Sequence, residues 1–353
     1  MRIRSTDGNR HVTNPCTGGT GEVEDYNFSV LYNENAALQE ILDPFVPSCS
    51  IGDSVIISLL NNSDTDLDSV TINWSKNDTM QTPYEWHGNL TANDPAEALN
   101  IGALNYKYGD TIKVWLSLVN GDTLDDNQGD DTLMRVPRPG LKGTYTVGGA
   151  GSDYDSLHKA MRDIREIGVC GNVIFNLNNG KHYALCDFTE IPGITNNAEI
   201  TFNSTSMDAD SAFINWSSTS SSTNRVLGFY GTQNITFNNI TIEDTSGSSY
   251  SRLVTFDGSH NITFNECVFD VAYNGTSSNA GITRQEGFAA CQDITFDGCD
   301  FYGGYEGVYF NAPGNSTNEG IVITDCSFND HYYRAVRMFD VEDFEFTYNS
   351  NSN

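Results

Sequence analysis

Two tyrosines near the end of the chain have the spacing expected of a ligand-binding surface. Counted from Phe301 and Phe328, Tyr305 aligns with Tyr332, and several charged side chains follow within a few residues. Tyrosine rings can stack on the apolar face of a sugar while charged groups bind its hydroxyls. The pattern therefore predicts a glycan-binding patch made of Tyr305, Tyr332, Tyr333, Arg334 and Arg337.

The same stretch contains groups that could transfer protons. By the same count Glu306 aligns with Tyr333, and Asp330 follows closely after Phe328. A carboxylate pair can act as general acid and base on a glycosidic bond, so the catalytic alternative consists of Glu306, Asp330, His331 and Arg334. In a third interpretation the tyrosines only stack as a structural ladder at a corner. The sequence alone leaves all three open.

One acidic loop could bind calcium, the only cofactor that the sequence suggests. Its carboxylates are Asp122, Asp125, Asp126, Asp130 and Asp131. Carboxylate oxygens are ligands that Ca²⁺ prefers, although a solvated acidic turn explains the same residues. The earlier Asp64-x-Asp66-x-Asp68 run begins like an EF-hand loop. Because Ser69 replaces its turn glycine, that motif fails.

The eight cysteines give two different signals. Cys170 and Cys186 flank Asn178-Asn179-Gly180 symmetrically, which makes them disulfide candidates across a turn. A disulfide would favour an extracellular location. Three others recur in one repeated column and are expected to fill a core, since no His lies at ligand spacing beside them: Cys267, Cys299 and Cys326.

These residues belong to a repeat that predicts the architecture. A short Ile-Thr-Phe-type strand recurs with Ile235, Ile262, Ile294 and Ile321, at intervals of 27, 32 and 27 residues. Alternating apolar residues, Asn, Asp or Gly at the corners and a further strand in each unit indicate three short strands per turn. This predicts a right-handed parallel β-helix, in which each turn is buried only against its neighbours.

Charge and hydropathy exclude several classes of partner. The formal net charge is −29, from 18 Lys and Arg against 47 Asp and Glu. Phosphate-rich nucleic acids and anionic lipid surfaces require the opposite sign. No run approaches 18 apolar residues, so we expect no membrane insertion.

The chain divides into three predicted regions. Residues 1–33 contain Gly21-Glu-Val-Glu-Asp-Tyr26, which resembles a motif that closes a β domain in secreted Bacteroidetes-type proteins. The resemblance implies that this region is the C-terminal remnant of a preceding domain. Residues 34–137 show strands about 10 residues apart, the rhythm of an Ig-like β-sandwich, and Ser69–Ser75 with the loop at 121–131 resembles CARDB domains.

Residues 138–353 are predicted to form the β-helix, begun by an amphipathic α-helix that caps its N-terminal end. Asp153 or Ser152 is the expected N-cap, and Gly168 the expected stop. The block from Gly143 to Tyr183 resembles the entry segment of the pectin-lyase-like superfamily in type IX-secreted proteins. Because a new rung has begun near the C-terminus, we expect a segment of a longer chain with neighbouring domains.

The function predicted first is non-enzymatic: adhesion or glycan binding by a secreted or cell-surface protein. Hydrolases that share this fold carry Asn-Thr-Asp, Asp-Asp, Gly-His-Gly and Arg-Ile-Lys motifs on neighbouring rungs, and the repeat region contains none of these. A polysaccharide lyase or glycoside hydrolase with an atypical site is the alternative. A structural filament or coat component is the second alternative.

Overall fold

The chain forms two compact units, one with antiparallel sheets and one with parallel sheets. The computed structural model describes residues 2–4, 23–25, 32–44, 47, 49, 54–103, 105, 109–121, 126–194, 198–287 and 289–352. The first unit holds Met1–Pro44 and Gly52–Val136, and the second holds Phe45–Ile51 and Pro137–Asn353. Half of the Gly21–Tyr26 motif lies outside the described residues, which include its strand Val23–Asp25.

The second unit is a right-handed β-solenoid whose strands all pair in parallel. Sheet A consists of Leu141–Val147, Val169–Leu177, Ile200–Ser204, Gln233–Asn238, His260–Asn265, Gln292–Asp297, Asn318–Thr324, Val341–Glu342 and Glu345–Thr347. Sheet B consists of Gly180–Tyr183, Ala212–Asn215, Thr241–Asp244, Val268–Val271, Asp300–Gly303, Ser327–Asn329 and Ser350–Ser352. Sheet C consists of Cys186–Phe188, Leu227–Tyr230, Val254–Asp257, Thr283–Gln285, Glu306–Asn311 and Arg334–Phe339.

The repeat register confirms the predicted parallel β-helix. Ile235, Ile262, Ile294 and Ile321 pair in succession along sheet A, and all four are fully buried. Two residues further on, a column of phenylalanines runs through the interior. Phe264 stacks on Phe237 and on Phe296 with ring centroids 5.2 and 5.3 Å apart. Burial of each such ring contributes roughly 1.5–3 kcal/mol.

The corners between sheets A and B use left-handed backbone, as the sequence predicts. Asn239, Glu266 and Asp325 have φ angles of 54°, 49° and 51°. Just before this corner, Asn265 donates its side-chain amide to Asn238 at 2.8 Å. This side-chain ladder satisfies polar groups that the turn would otherwise leave unpaired, and it aligns successive turns.

One α-helix, Leu157–Glu166, precedes the second strand of sheet A. Leu157, Ala160, Met161 and Ile164 are its buried face and join the solenoid core. The predicted cap is wrong, because Ser156 occupies the N-cap position and makes no side-chain cap hydrogen bond. Asp153 instead accepts the Thr146 backbone N–H at 2.8 Å. Two short 3₁₀ turns lie at Ala209–Ser211 and Ser278–Ala280.

The predicted Cys170–Cys186 disulfide is wrong. Cys170 is bonded to Cys49, with Cα atoms 5.1 Å apart. Cys186 is a free, buried thiol at the start of sheet C, and burial raises its pKa. The two cysteines belong to strands of different sheets, because the turn between them leads around the solenoid and does not form a hairpin. The partner of Cys170 is separated from it by 121 residues, a distance that local spacing cannot reveal.

The first unit contains two antiparallel sheets around one core. The five-stranded sheet consists of Thr132–Arg135, Ile112–Val119, Leu67–Lys76, Thr79–Met80 and Tyr84–Leu90. The three-stranded sheet consists of Ala36–Asp43, Ser54–Asn61 and Pro95–Ala103. Strands Arg2–Arg4 and Val23–Asp25 pair separately. Trp74 is buried in the core, whereas Trp115 is half-buried beneath Lys113.

Candidate functional site

The three tyrosines of the predicted patch lie together at the corner that leads into sheet C. The Tyr305 ring stacks on Tyr333 and Tyr332, with centroids 5.2 and 6.1 Å away. Tyr332 is 53% exposed and Tyr333 is 48% exposed. The Arg334 guanidinium lies 4.6 Å from the centre of the Tyr333 ring. Tyr305, Tyr332, Tyr333 and Arg334 therefore form one surface, the tyrosine patch.

The strand register differs by one residue from the sequence alignment. Glu306 pairs with Arg334, whereas the alignment predicts Tyr333 at that position. The turn after Phe328 holds one residue more than the turn after Phe301, and it includes Asp330 in left-handed backbone with φ 58°. As a consequence Tyr305 is packed against two tyrosines.

Glu306 lies beneath this surface. It is 1% exposed, and its carboxylate accepts a hydrogen bond from Arg337 at 3.2 Å. The Arg337 guanidinium also lies over Tyr309 and Phe339, 5.0 and 4.9 Å from their ring centres. The structure thus brings together the predicted residues Glu306 and Arg337 as a structural ion pair. In the strand register the neighbour of Glu306 on the next strand is Arg334, so no second carboxyl group lies opposite it there.

His331 and Asp330 are not arranged as a surface acid–base pair. The His331 ring faces inward, with Nδ1 2.5 Å from the carbonyl oxygen of Gly303 and the ring packed on Phe328. Burial lowers the pKa of His331. The backbone carbonyl of Asp330 accepts the side-chain amide of Asn274 at 2.8 Å. The catalytic alternative at this corner stays a prediction that the geometry does not favour.

Arginines continue the same face along sheet C. Tyr309 lies between two arginines in the strand register: Arg284 is on the preceding strand and Arg337 on the following one. The Arg284 guanidinium lies 4.7 Å from the centre of the Tyr309 ring. Further along, Arg225 holds Asp187 in a two-pronged pair at 2.6 Å for each contact. Cations are scarce in this acidic chain, so their concentration on one sheet makes sheet C a distinctive surface.

A second candidate site, which the sequence reasoning missed, lies on the outer face of sheet B. Glu243 and Asp270 are opposite each other on neighbouring strands. Glu243 is 5% exposed and holds two donors on Oε1: Lys181 Nζ at 2.6 Å and Asn215 Nδ2 at 2.7 Å. Tyr302 continues the column after Asp270. We call Glu243 and Asp270 the carboxylate pair.

The two carboxylates have different surroundings. Burial raises the pKa of Asp270 above its ordinary value, the charge of Glu243 raises it further, and Lys181 lowers it. Glu243 is held by the Lys181 ammonium and the Asn215 side-chain amide. Neighbouring strands of a sheet lie about 4.8 Å apart, so the two carboxyl groups are close neighbours. Glycosidases use two neighbouring carboxyl groups in different surroundings as acid and base or nucleophile.

The repeat itself contains the signal for this second site. In the column Ile240, Cys267, Cys299 and Cys326, the residues three positions later are Glu243, Asp270, Tyr302 and Asn329. Alternation along the strand directs them outward when the column points inward. The missing information was the position of Lys181 and Asn215, which come from earlier turns.

The calcium candidates are only partly within the described residues. Asp122 and Asp125 lie outside them. Asp126 accepts the backbone N–H groups of Asn33 and Glu34, and the Asp131 carbonyl accepts the N–H of Leu116. Among the residues that the structure describes, no group of three or more His, Cys, Asp or Glu side chains is arranged to hold a metal. Within the same ranges no helix is long and apolar enough to cross a membrane.

Comparisons with known proteins give distant matches. No protein-family model and no curated protein sequence matches the chain. A family 28 exopolygalacturonase of Yersinia enterocolitica is similar at 8% identity and a TM-score of 0.28, over 90% of this chain and 87% of that one. The catalytic domain of a GH87 α-1,3-glucanase in complex with nigerose gives 10% identity and a TM-score of 0.26, over 90% and 72%. Because these scores are low, the assignment of the β-solenoid rests on the strand pairing.

Proposed function

We propose that this chain binds a polysaccharide through the outer surface of its β-solenoid. The observation that carries the proposal is the tyrosine patch, where Tyr332 and Tyr333 stack on Tyr305 and remain half exposed beside Arg334. Aromatic rings that are fixed by stacking lose little conformational entropy when they bind a sugar face. The guanidinium groups along sheet C supply donors for hydroxyl or acidic groups of the same chain.

The same proposal covers the neighbouring regions of the chain and the cellular location of the protein. The first unit acts as an Ig-like, CARDB-like sandwich, the 1–33 region as the remnant of a preceding domain, and the Leu157–Glu166 helix as a cap on the solenoid end. Type IX secretion and an extracellular or cell-surface location complete the proposal. The two sheets around one core support the sandwich, and the apolar face of the helix supports the cap. Adhesion to a glycan is then the biological role.

The test is a binding screen of the whole chain against neutral and acidic polysaccharides by affinity electrophoresis and calorimetry. We expect saturable binding to at least one polysaccharide, with a dissociation constant in the micromolar to millimolar range that is usual for small contact areas. Absence of binding to every polysaccharide, together with ordered self-assembly, would instead favour the filament alternative.

A second candidate function is glycoside hydrolysis at the carboxylate pair. It is favoured by the register of Glu243 and Asp270 and by the raised pKa of Asp270. In this mechanism Asp270 donates its proton to the glycosidic oxygen while the bond to the anomeric carbon breaks. In the direct route Glu243 attacks that carbon and forms a glycosyl ester, which water then hydrolyses as it returns a proton to Asp270. In the other route Glu243 takes a proton from the water that attacks the carbon. The configuration of the product, retained or inverted, would show which of the two routes is used.

Hydrolysis is tested on the same panel of polysaccharides by assaying new reducing ends. Elimination is tested by the absorbance of unsaturated products. New reducing ends without unsaturated products would support this candidate. Binding without either product would leave the chain as a glycan-binding protein and remove the second candidate.

A further inference from the structure

Three Asn side chains from three separate segments of the first unit meet around the Asp130 carboxylate. Oδ2 of Asp130 accepts the amides of Asn127 at 2.9 Å, Asn35 at 3.3 Å and Asn62 at 3.4 Å. Asp126, on the same loop, accepts two backbone N–H groups at 2.8 and 3.0 Å. Every one of these donors is a neutral amide. Within the described residues, no ion pair involves Asp126 or Asp130.

Two oxygens in this group have no donor. Oδ1 of Asp130 and Oδ1 of Asn35 are both buried without a hydrogen-bond partner. Asn35 is fully buried, at 0% exposure, and its amide faces the Asp130 carboxylate. A buried acceptor without a donor is destabilising, and it is more so when the group carries a charge. Oδ1 of Asp130 and Oδ1 of Asn35 therefore lack a positively charged partner.

We propose that Asn35 and Asp130 are ligands of a Ca²⁺ ion. Calcium takes six to eight oxygen ligands and accepts carboxylates, Asn carbonyl oxygens and water in flexible geometry. Oδ1 of Asn35 and Oδ1 of Asp130 are the oxygens without a donor, and a half-turn of the Asn62 side-chain amide, which exchanges Oδ1 and Nδ2, would supply a third oxygen. Asp126 and Asp130 supply two negative charges that balance the charge of the ion. This site belongs to the first unit and does not depend on the proposed glycan binding.

The experiment follows thermal unfolding of the whole chain by tryptophan fluorescence, in 5 mM CaCl₂ and in EGTA. Trp74, Trp86 and Trp115 are three of the four tryptophans and report on the first unit. We expect calcium to raise Tm by about 4 °C or more, since a ligand at many times its Kd stabilises the state that binds it. Calorimetric titration of the native protein with CaCl₂ should show one saturable site.

Two isosteric variants distinguish calcium binding at this site from nonspecific screening of the negative charge of the chain. Asp130→Asn should abolish the calcium-dependent shift, while Asp66→Asn, at an exposed carboxylate, should retain it. If Asp130→Asn does not fold, Asn62→Ala replaces it, with an expected loss of calcium affinity of about tenfold. The proposal is overturned if native protein shows no shift and no binding, if MgCl₂ gives an equal shift, or if Asp130→Asn responds as Asp66→Asn does.

Discussion

The tyrosine patch and the carboxylate pair lie on the same solenoid but differ in how their acidic side chains are placed. In the patch the aromatic rings are exposed and the acidic residue, Glu306, is buried and paired with Arg337. In the carboxylate pair the acidic groups line the outer column of a sheet, and burial raises the pKa of Asp270. The first arrangement exposes aromatic surface, and the second places two carboxyl groups on neighbouring strands.

The two carboxylates that lie deepest in these regions differ in their neighbours. Both Glu306 and Glu243 are nearly inaccessible and both contact a cation. Only Glu243 has a second carboxyl group, Asp270, opposite it on the next strand. The carboxyl neighbour is what separates a potential acid–base pair from a structural ion pair.

The largest effect is expected from Asp270→Asn if the carboxylate pair hydrolyses a polysaccharide. Loss of the general acid should lower kcat about 10²–10⁴-fold while binding is retained. The matched control is Glu306→Gln, which should leave kcat within about threefold in protein that remains folded. Equal losses in both variants would show that the distinction between the two regions is incorrect. The measurement is release of reducing ends from the best substrate.

A large effect on stability is expected from Arg337→Met. This change removes the cation that contacts buried Glu306, and leaving a buried charge unpaired costs about 3 kcal/mol. Lys181→Met should cost less, because Asn215 still donates to Glu243 and the Lys181 side chain is 43% exposed. Urea unfolding measures both. The double variant Arg337→Met with Glu306→Gln should recover part of the loss, and no recovery would argue against the ion pair.

The pH dependence of hydrolysis should identify Asp270 as the acid. The group acts only when protonated, so activity is present below its folded pKa and falls about tenfold per pH unit above it. Because its pKa is raised, this alkaline limb should lie above the ordinary range of an Asp. Lys181→Met removes a charge that lowers this pKa and should move the limb to higher pH. A limb that moves to lower pH would contradict the assignment.

More of the fold than of the candidate sites could be predicted from the sequence. Strict spacing and alternation determine the register, so the isoleucine column and the left-handed corners followed from the sequence. Cys49 could not be recognised as the partner of Cys170, because their pairing depends on a contact across 121 residues. Likewise a single extra residue at the turn after Phe328 moved Glu306 opposite Arg334. Local pattern specifies the repeat, whereas turn length and distant contacts specify which side chains meet.

The most direct test of the account is the affinity of the Tyr332→Ala, Tyr333→Ala double variant for the polysaccharide that the native chain binds. Each exposed ring is expected to contribute about 1 kcal/mol, so Kd should rise about 30-fold. Tyr348→Ala, at a tyrosine that is 86% exposed and outside the patch, should leave Kd unchanged. If the double variant, shown to be folded by its unfolding curve, binds as tightly as the native chain, the tyrosine patch is not the glycan-binding surface.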